Sequence, residues 1–159
     1  MRIELNLPAF QYNLVIEKRN EKQNMKSAYV VFDPVRKKKI VLTTEEIIRQ
    51  LMLQYLMIEK KYPSARIRVE KGLKVNTRLK RCDILIYNRQ AQPYILVECK
   101  SPEVEIDDTV FEQIARYNLT LQVPYLVVTN GITTYCCKMN LSEKSWIFLN
   151  DIPIFDAEI

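Results

Sequence analysis

The sequence predicts an α/β (α+β) fold, a mixed β-sheet flanked by helices, with a core in the order α-β-β-β-α-β and small strands after it. Three stretches predict it. "TTEEIIRQLMLQYLMIEKKYP" is amphipathic at helical period and ends at Tyr62-Pro63. "DILIYNRQAQPYILVECK" is two apolar runs around a short polar break, the pattern of a hairpin. A second amphipathic stretch near 108–121 leads into "PYLVVTNG", a buried strand closed by an Asn-Gly turn.

Each element has a local cause. Thr43 and Glu46 stand at capping-box spacing and open the first helix. Its expected apolar stripe is Ile47, Ile48, Leu51, Tyr55 and Ile58. Strands are expected near 66–72, 80–88 and 93–100. In the second helix Val110, Phe111, Ile114 and Tyr117 are expected to face inward. "ITTYCCKM" returns from the Asn-Gly turn, and "SWIFLND" forms a last edge segment. Residues 1–30 are expected to form an N-terminal arm with one short strand, and 31–159 a single domain. "VFDPVRKKKIVL" places a turn at Asp33-Pro34 ahead of the basic run Arg36 to Lys39.

Composition narrows the chemistry. The chain has 159 residues, 48% hydrophobic and 27% charged, enough for one domain with a core. No stretch approaches about 18 consecutive apolar residues, so no membrane partner is expected. The first residues lack a signal-peptide layout, so the cytoplasm is the expected location. There is no histidine, which excludes Ser-His and Cys-His catalysis. The four cysteines, Cys82, Cys99, Cys136 and Cys137, form no C-x-x-C pair, and reduced thiols packed as small hydrophobes are expected. Residues 1–81 hold 19 Lys/Arg against 8 Asp/Glu, a net +11. Residues 82–159 hold 5 against 11, a net −6. A basic half beside an acidic half suits a polyanion surface next to a cation site. "RKKK" and "KVNTRLKR" (Lys74, Arg78, Lys80, Arg81) are the phosphate-contact candidates.

The hairpin concentrates charge. A turn centred on 89–92 pairs Tyr87 with Tyr94, Leu85 with Leu96, and Asp83 with Glu98. Side chains alternate, so Asp83, Leu85, Tyr87, Tyr94, Leu96, Glu98 and Lys100 share one face. Cys82, Ile84, Ile86, Ile95, Val97 and Cys99 share the other, which belongs in a core. Two carboxylates on neighbouring strands repel, and burying either is costly unless something compensates. A divalent cation compensates well, because Mg²⁺ takes one or two carboxylates and keeps several waters. A plain salt bridge from Lys100 to Asp83 and Glu98 is the alternative.

The spacing Asp83 … Glu98-x-Lys100 resembles the PD-(D/E)XK nuclease motif. "FDPVRKKKIVLTTEEIIRQ", "RCDILIY", "YILVECKSP", "FEQIARYN" and "PYLVVTNG" together resemble the type I restriction enzyme R-protein N-terminal domain over about residues 30–150. The resemblance implies a restriction-endonuclease-like fold and a DNA phosphodiesterase site dependent on Mg²⁺ (or Mn²⁺). It makes Asp83 and Glu98 metal ligands, adds the Cys99 carbonyl, and gives Lys100 the attacking water. Gln113 and Tyr117 match the accompanying Q-x-x-x-Y element, Gln113 at the catalytic site and Tyr117 as a DNA contact. Glu45 is the first-helix glutamate expected to assist, since Glu46 is assigned to the cap. A helix salt bridge from Glu45 to Arg49 is the alternative.

Cys82 stands where the motif usually has proline. With glycine only at positions 72 and 131, no G-x-x-x-x-G-K-[ST] loop exists. A stand-alone nuclease-like module without its translocating motor is therefore expected. DNA is the expected partner, with a motor or specificity subunit on a separate chain. A non-catalytic nucleic-acid-binding module, or a subunit of a restriction or repair complex, is the alternative function.

Overall fold

The computed structural model describes residue 7 and residues 14–18, 29–75 and 78–155. The side chains of residues 73–75, 78–80 and 120 lie outside that description, as does most of the expected N-terminal arm. Two sheets and two helices form the described structure. A three-stranded antiparallel sheet joins β1 (Ile16–Lys18), β2 (Tyr29–Asp33) and β3 (Lys38–Val41) in that order. α1 (Thr44–Ile58) follows, then a single 3-10 turn at Ser64–Arg66. A six-stranded sheet runs in chain order through β4 (Ile67–Val75), β5 (Arg78–Tyr87), β6 (Pro93–Cys99), β7 (Tyr125–Thr129), β8 (Thr134–Asn140) and β9 (Ser145–Phe148). Its neighbours are antiparallel except β6 and β7, which are parallel and joined through α2 (Asp108–Leu121). The mixed α+β architecture agrees with the sequence reading.

The helices start where their caps stand. Thr43 Oγ1 accepts the Glu46 N–H at 3.1 Å and opens α1. Asp107 Oδ1 accepts the Val110 N–H at 2.8 Å and opens α2. α2 closes on Gln122 in the left-handed region, and buried Asn118 donates to the Val123 carbonyl beyond it. α1 packs on one face of the large sheet, with Ile48, Met52, Leu53, Tyr55 and Leu56 against Ile84, Ile86, Ile95, Val97 and Val127. α2 packs on the other, with Phe111 and Ala115 against Leu85, Leu96, Leu126 and Val128. The buried stripe of α1 therefore turns toward Met52, Leu53 and Leu56, and Ile58 is exposed, contrary to expectation. A sheet covered on both faces makes its central strands apolar throughout.

The β5–β6 hairpin departs from ideal alternation twice. Leu85 pairs with Leu96 as expected, but Tyr87 pairs with Pro93 across a register shift, not with Tyr94. Pro93 has no N–H to give the ladder, and Ala91 in the turn takes a φ of 59°. Tyr94 consequently packs on the α1 side, edge to face with Tyr125 at 5.0 Å. The second departure is at Cys82, expected beside Ile84 and Ile86 but packed with Leu85, Leu96 and Phe111 on the α2 side. Glu70, between the paired positions Val69↔Ile84 and Lys71↔Cys82, has a φ of 50°. That local twist of the ladder accompanies the switch of face.

All four cysteines are free and buried. Burial pushes the Cys82 and Cys137 thiols up to about 12, and Cys99 and Cys136 upward too. They act as small hydrophobes, not nucleophiles.

The turn from β7 to β8 is tied to α1. Asn130 Oδ1 accepts the N–H groups of Ile132 and Thr133, and its amide donates to the Val104 carbonyl. Gly131 has a φ of 85°, and a Cβ there would lie 2.4 Å from Ile48 Cδ1. Gly131→Ala is therefore expected to cost about 1–3 kcal/mol and lower the melting temperature by roughly 3–10 °C. A melting curve indistinguishable from wild type would contradict the turn geometry.

Candidate functional site

Beyond the pair Ile84↔Val97, Asp83 uses its side chain where the β5–β6 ladder stops, and Oδ2 accepts the Cys99 N–H at 2.7 Å. The end of β6 is anchored on its other side by the parallel neighbour, Lys100 N–H to the Thr129 carbonyl at 2.8 Å. These two bonds hold Glu98, Cys99 and Lys100 beside Asp83. The Glu98 carboxyl is raised to about 8 by burial first, then by the charge of Asp83 and a hydrogen bond with it. Glu45 adds to the rise, and Lys100 opposes it. The hydrogen bond with Asp83 raises the Glu98 carboxyl because it favours the protonated form.

Glu98 opens into a cleft of about 500 Å³, lined also by Arg81, Lys100, Gln113, Ile114 and Tyr117. α2 contributes the last three, and Gln113 and Tyr117 lie one turn apart on the same helix face. The Tyr117 phenol is raised by burial first, then by the charges of Glu98 and Cys82. The cleft thus brings one carboxyl, a lysine, an arginine, an amide and a phenol to one opening.

Behind Asp83 lies a buried arginine. Arg49 Nη2 donates to Asp83 Oδ1 at 2.7 Å and to Glu45 Oε1 at 2.9 Å, and Nη1 donates to Glu46 Oε2. Burial works against the Arg49 charge, and the hydrogen bond and charge of Asp83 outweigh it, leaving its pKa above the ordinary value. Glu46 Oε1 accepts from Arg36 and from Gln50. Arg36 also donates to Asp33 at 2.6 Å and to Glu70 at 2.7 Å.

Residues 44–153 match the family described as type I restriction enzyme R protein N terminus. The chain belongs to this family. The match begins with α1 and spans both helices and the whole six-stranded sheet, leaving β1 to β3 outside it. No curated protein matches the chain.

In this R-protein N-terminal domain the structure brings together Asp83, Glu98, Lys100, Gln113, Tyr117 and Arg81. Glu45 is half exposed and makes the helix salt bridge to Arg49, and its charge is felt by Glu98. The capping box is only half made. Thr43 caps, but the Glu46 carboxylate is committed to Arg36, Arg49 and Gln50. Of the expected basic run, Arg36 is corrected: its side chain is 10% exposed and bound by three carboxylates, so it faces no phosphate. Lys37 and Lys38 are exposed, and Lys39 pairs with Glu17. The side chains of Lys74, Arg78 and Lys80 lie outside the described residues. Arg49 was legible only as a helix-pair partner of Glu45, because nothing local shows that β5 passes its far side.

Among the described residues no group of three or more His, Cys, Asp or Glu side chains is arranged to hold a metal. Asp83 and Glu98 supply two carboxyls, oxygen donors of the kind a hard cation takes. Among the described residues no helix is long and apolar enough to cross a membrane.

The raised Glu98 carboxyl has a consequence for stability. Between its unfolded value near 4.5 and its folded value of about 8, the native state holds a proton that the unfolded state lacks. This contribution is complete below about pH 4.5 and is lost as pH rises through 8. Metal-free Glu98→Gln should therefore lose less stability than wild type between pH 5.5 and 8.5 in urea melts. Equal losses in both proteins would refute the proton assignment.

Proposed function

We propose that this chain is a metal-dependent DNA nuclease domain of the PD-(D/E)XK type, hydrolysing phosphodiester bonds. The observation that carries the reading is the convergence of Asp83, Glu98 and Lys100 beside a cleft that also holds Arg81, Gln113 and Tyr117. Asp83, Glu98 and the Cys99 carbonyl would hold one Mg²⁺ or Mn²⁺. Such an ion supplies charge stabilisation at the phosphate and a more acidic bound water. Glu98 gives up its proton to become a ligand, so affinity rises with pH toward 8. Lys100 orients the attacking water and offsets charge building on the phosphate oxygens. Gln113 and Tyr117 steady the DNA backbone from α2, Arg81 meets a phosphate across the cleft, and Glu45 adds a negative charge felt by Glu98. A motor or specificity component as partner fits a family described as the N terminus of a type I restriction enzyme R protein.

A nucleic-acid-binding module without turnover is the second reading. The Arg49–Asp83 ion pair favours it, since Arg49 compensates Asp83 without any metal. Turnover separates the two. Plasmid and single-stranded DNA should be cleaved with Mg²⁺ or Mn²⁺ and not with EDTA. Lys100→Ala should lose about 100-fold or more of the rate while still binding DNA. Mn²⁺ at a hundredfold excess over Kd should stabilise the wild type by about 2.7 kcal/mol. DNA bound without cleavage in any metal, and a melting curve indifferent to Mn²⁺, would leave only the binder.

DNA affinity should fall steeply with salt as phosphate counterions are released. Arg81→Ala should reduce the slope of log K against log salt by about one. An unchanged slope would move the DNA track away from this cleft.

A further inference from the structure

We propose that Arg49 is a positioning residue for Asp83 and that Arg36 holds Arg49 in place, which makes the turn between β2 and β3 part of the site's machinery. The inference rests on the metal-site reading above and adds what orients its first ligand.

The turn itself is the fixed end of the chain of contacts. Asp33 is fully buried, and its Oδ1 accepts the N–H groups of Val35 and Arg36 at 2.8 and 2.6 Å. Its Oδ2 accepts from Arg36 Nε at 2.6 Å and from Gln50 at 2.8 Å. Arg36 then grips Glu46 from one side, and Arg49 grips it from the other. Arg49 ends on Asp83 Oδ1. With Cys99 N–H on Oδ2, both oxygens of Asp83 are held, and each keeps a second lone pair for a cation. A branch from Arg36 reaches Glu70 at 2.7 Å, and Glu70 lies 3.6 Å from Arg81 in the cleft. One arginine of the small sheet therefore supports both Asp83 and the cleft's basic wall.

Arginine suits both positions, because its planar fork of five donors reaches three separated carboxylates in fixed directions. A cluster of buried ions is a poor way to stabilise a fold, since desolvation consumes most of the attraction. This one ends on a site carboxylate instead of closing on itself. Partners behind a metal ligand commonly control its affinity by 10- to 100-fold.

Mn²⁺ titration calorimetry on the metal-free protein at pH 8.5, with melting curves of every variant, tests the relay. Arg49→Lys keeps the charge and loses the fork. It should raise the Mn²⁺ Kd about 10- to 100-fold at a temperature where the protein is folded. Arg36→Lys touches no proposed ligand and should raise it as well, and Lys37→Ala, on the exposed neighbour, should not. Should Arg49→Lys fail to fold, Arg36→Lys decides alone. A lowered melting temperature with an unchanged Kd in either folded variant overturns the relay, because that is the mark of a purely structural role. A wild type that takes up no Mn²⁺ removes the metal site and the relay together.

Discussion

A guanidinium taken out of water must find its compensation inside the protein, and Arg49 finds it in three carboxylates from two elements. Its side chain is 7% exposed, and Glu45, Glu46 and Asp83 surround it. Removing one partner of such a pair typically costs about 3–5 kcal/mol, because a buried charge is left alone. This requirement fixes the register of α1 on the sheet, since Arg49 reaches β5 only if Ile48, Met52 and Leu56 face the apolar layer. It also fixes the small sheet, because Glu46 needs Arg36 as much as Arg49 does. Packing and ion pairing thus demand the same placement of α1, which is the consistency expected of a well-specified fold.

The site sits where the two kinds of strand pairing meet. β5 and β6 are antiparallel, and β6 and β7 are parallel. The antiparallel ladder stops at Ile84↔Val97, while the parallel one runs on to Cys99↔Thr129. The end of β6 is therefore held by β7 while its β5 side is freed for the Asp83 side chain. The crossover through α2 then lays Gln113 and Tyr117 over the same strand end. Burial of Glu98 beside the charge of Asp83 is why its carboxyl prefers its proton.

The family match covers the helices and the large sheet but not β1 to β3. The three-stranded sheet is nonetheless joined to the matched part by buried, charge-assisted hydrogen bonds, not by surface contacts alone. It is energetically part of the domain, whatever its standing in the family pattern.

Much of this was legible in the residues. The helices declared themselves through Thr43 and the 108–121 periodicity, and the hairpin through two apolar runs with Leu85 opposite Leu96. The nearness of Asp83 to Glu98 and Lys100 follows from the short turn, a local property. Strict alternation would put Asp83 on the Leu85 face, but the structure turns it to Arg49 on the α1 side. What the sequence could not determine depends on which distant surface a side chain meets. Arg36 reads as one more member of a solvated basic run, yet it is buried by carboxylates from β2, α1 and β4. Cys82 reads as a neighbour of Ile84, yet a twist in the ladder at Glu70 turns it to the α2 side. Ile58 reads as core, yet it is exposed while Tyr55 and Leu56 of the same turn are buried. Arg49 reads as a helix-surface partner of Glu45, and only the packing of α1 against β5 brings it to Asp83. Periodicity and capping are written within a few residues of chain, whereas the neutralisation of a buried charge is settled between elements that lie tens of residues apart.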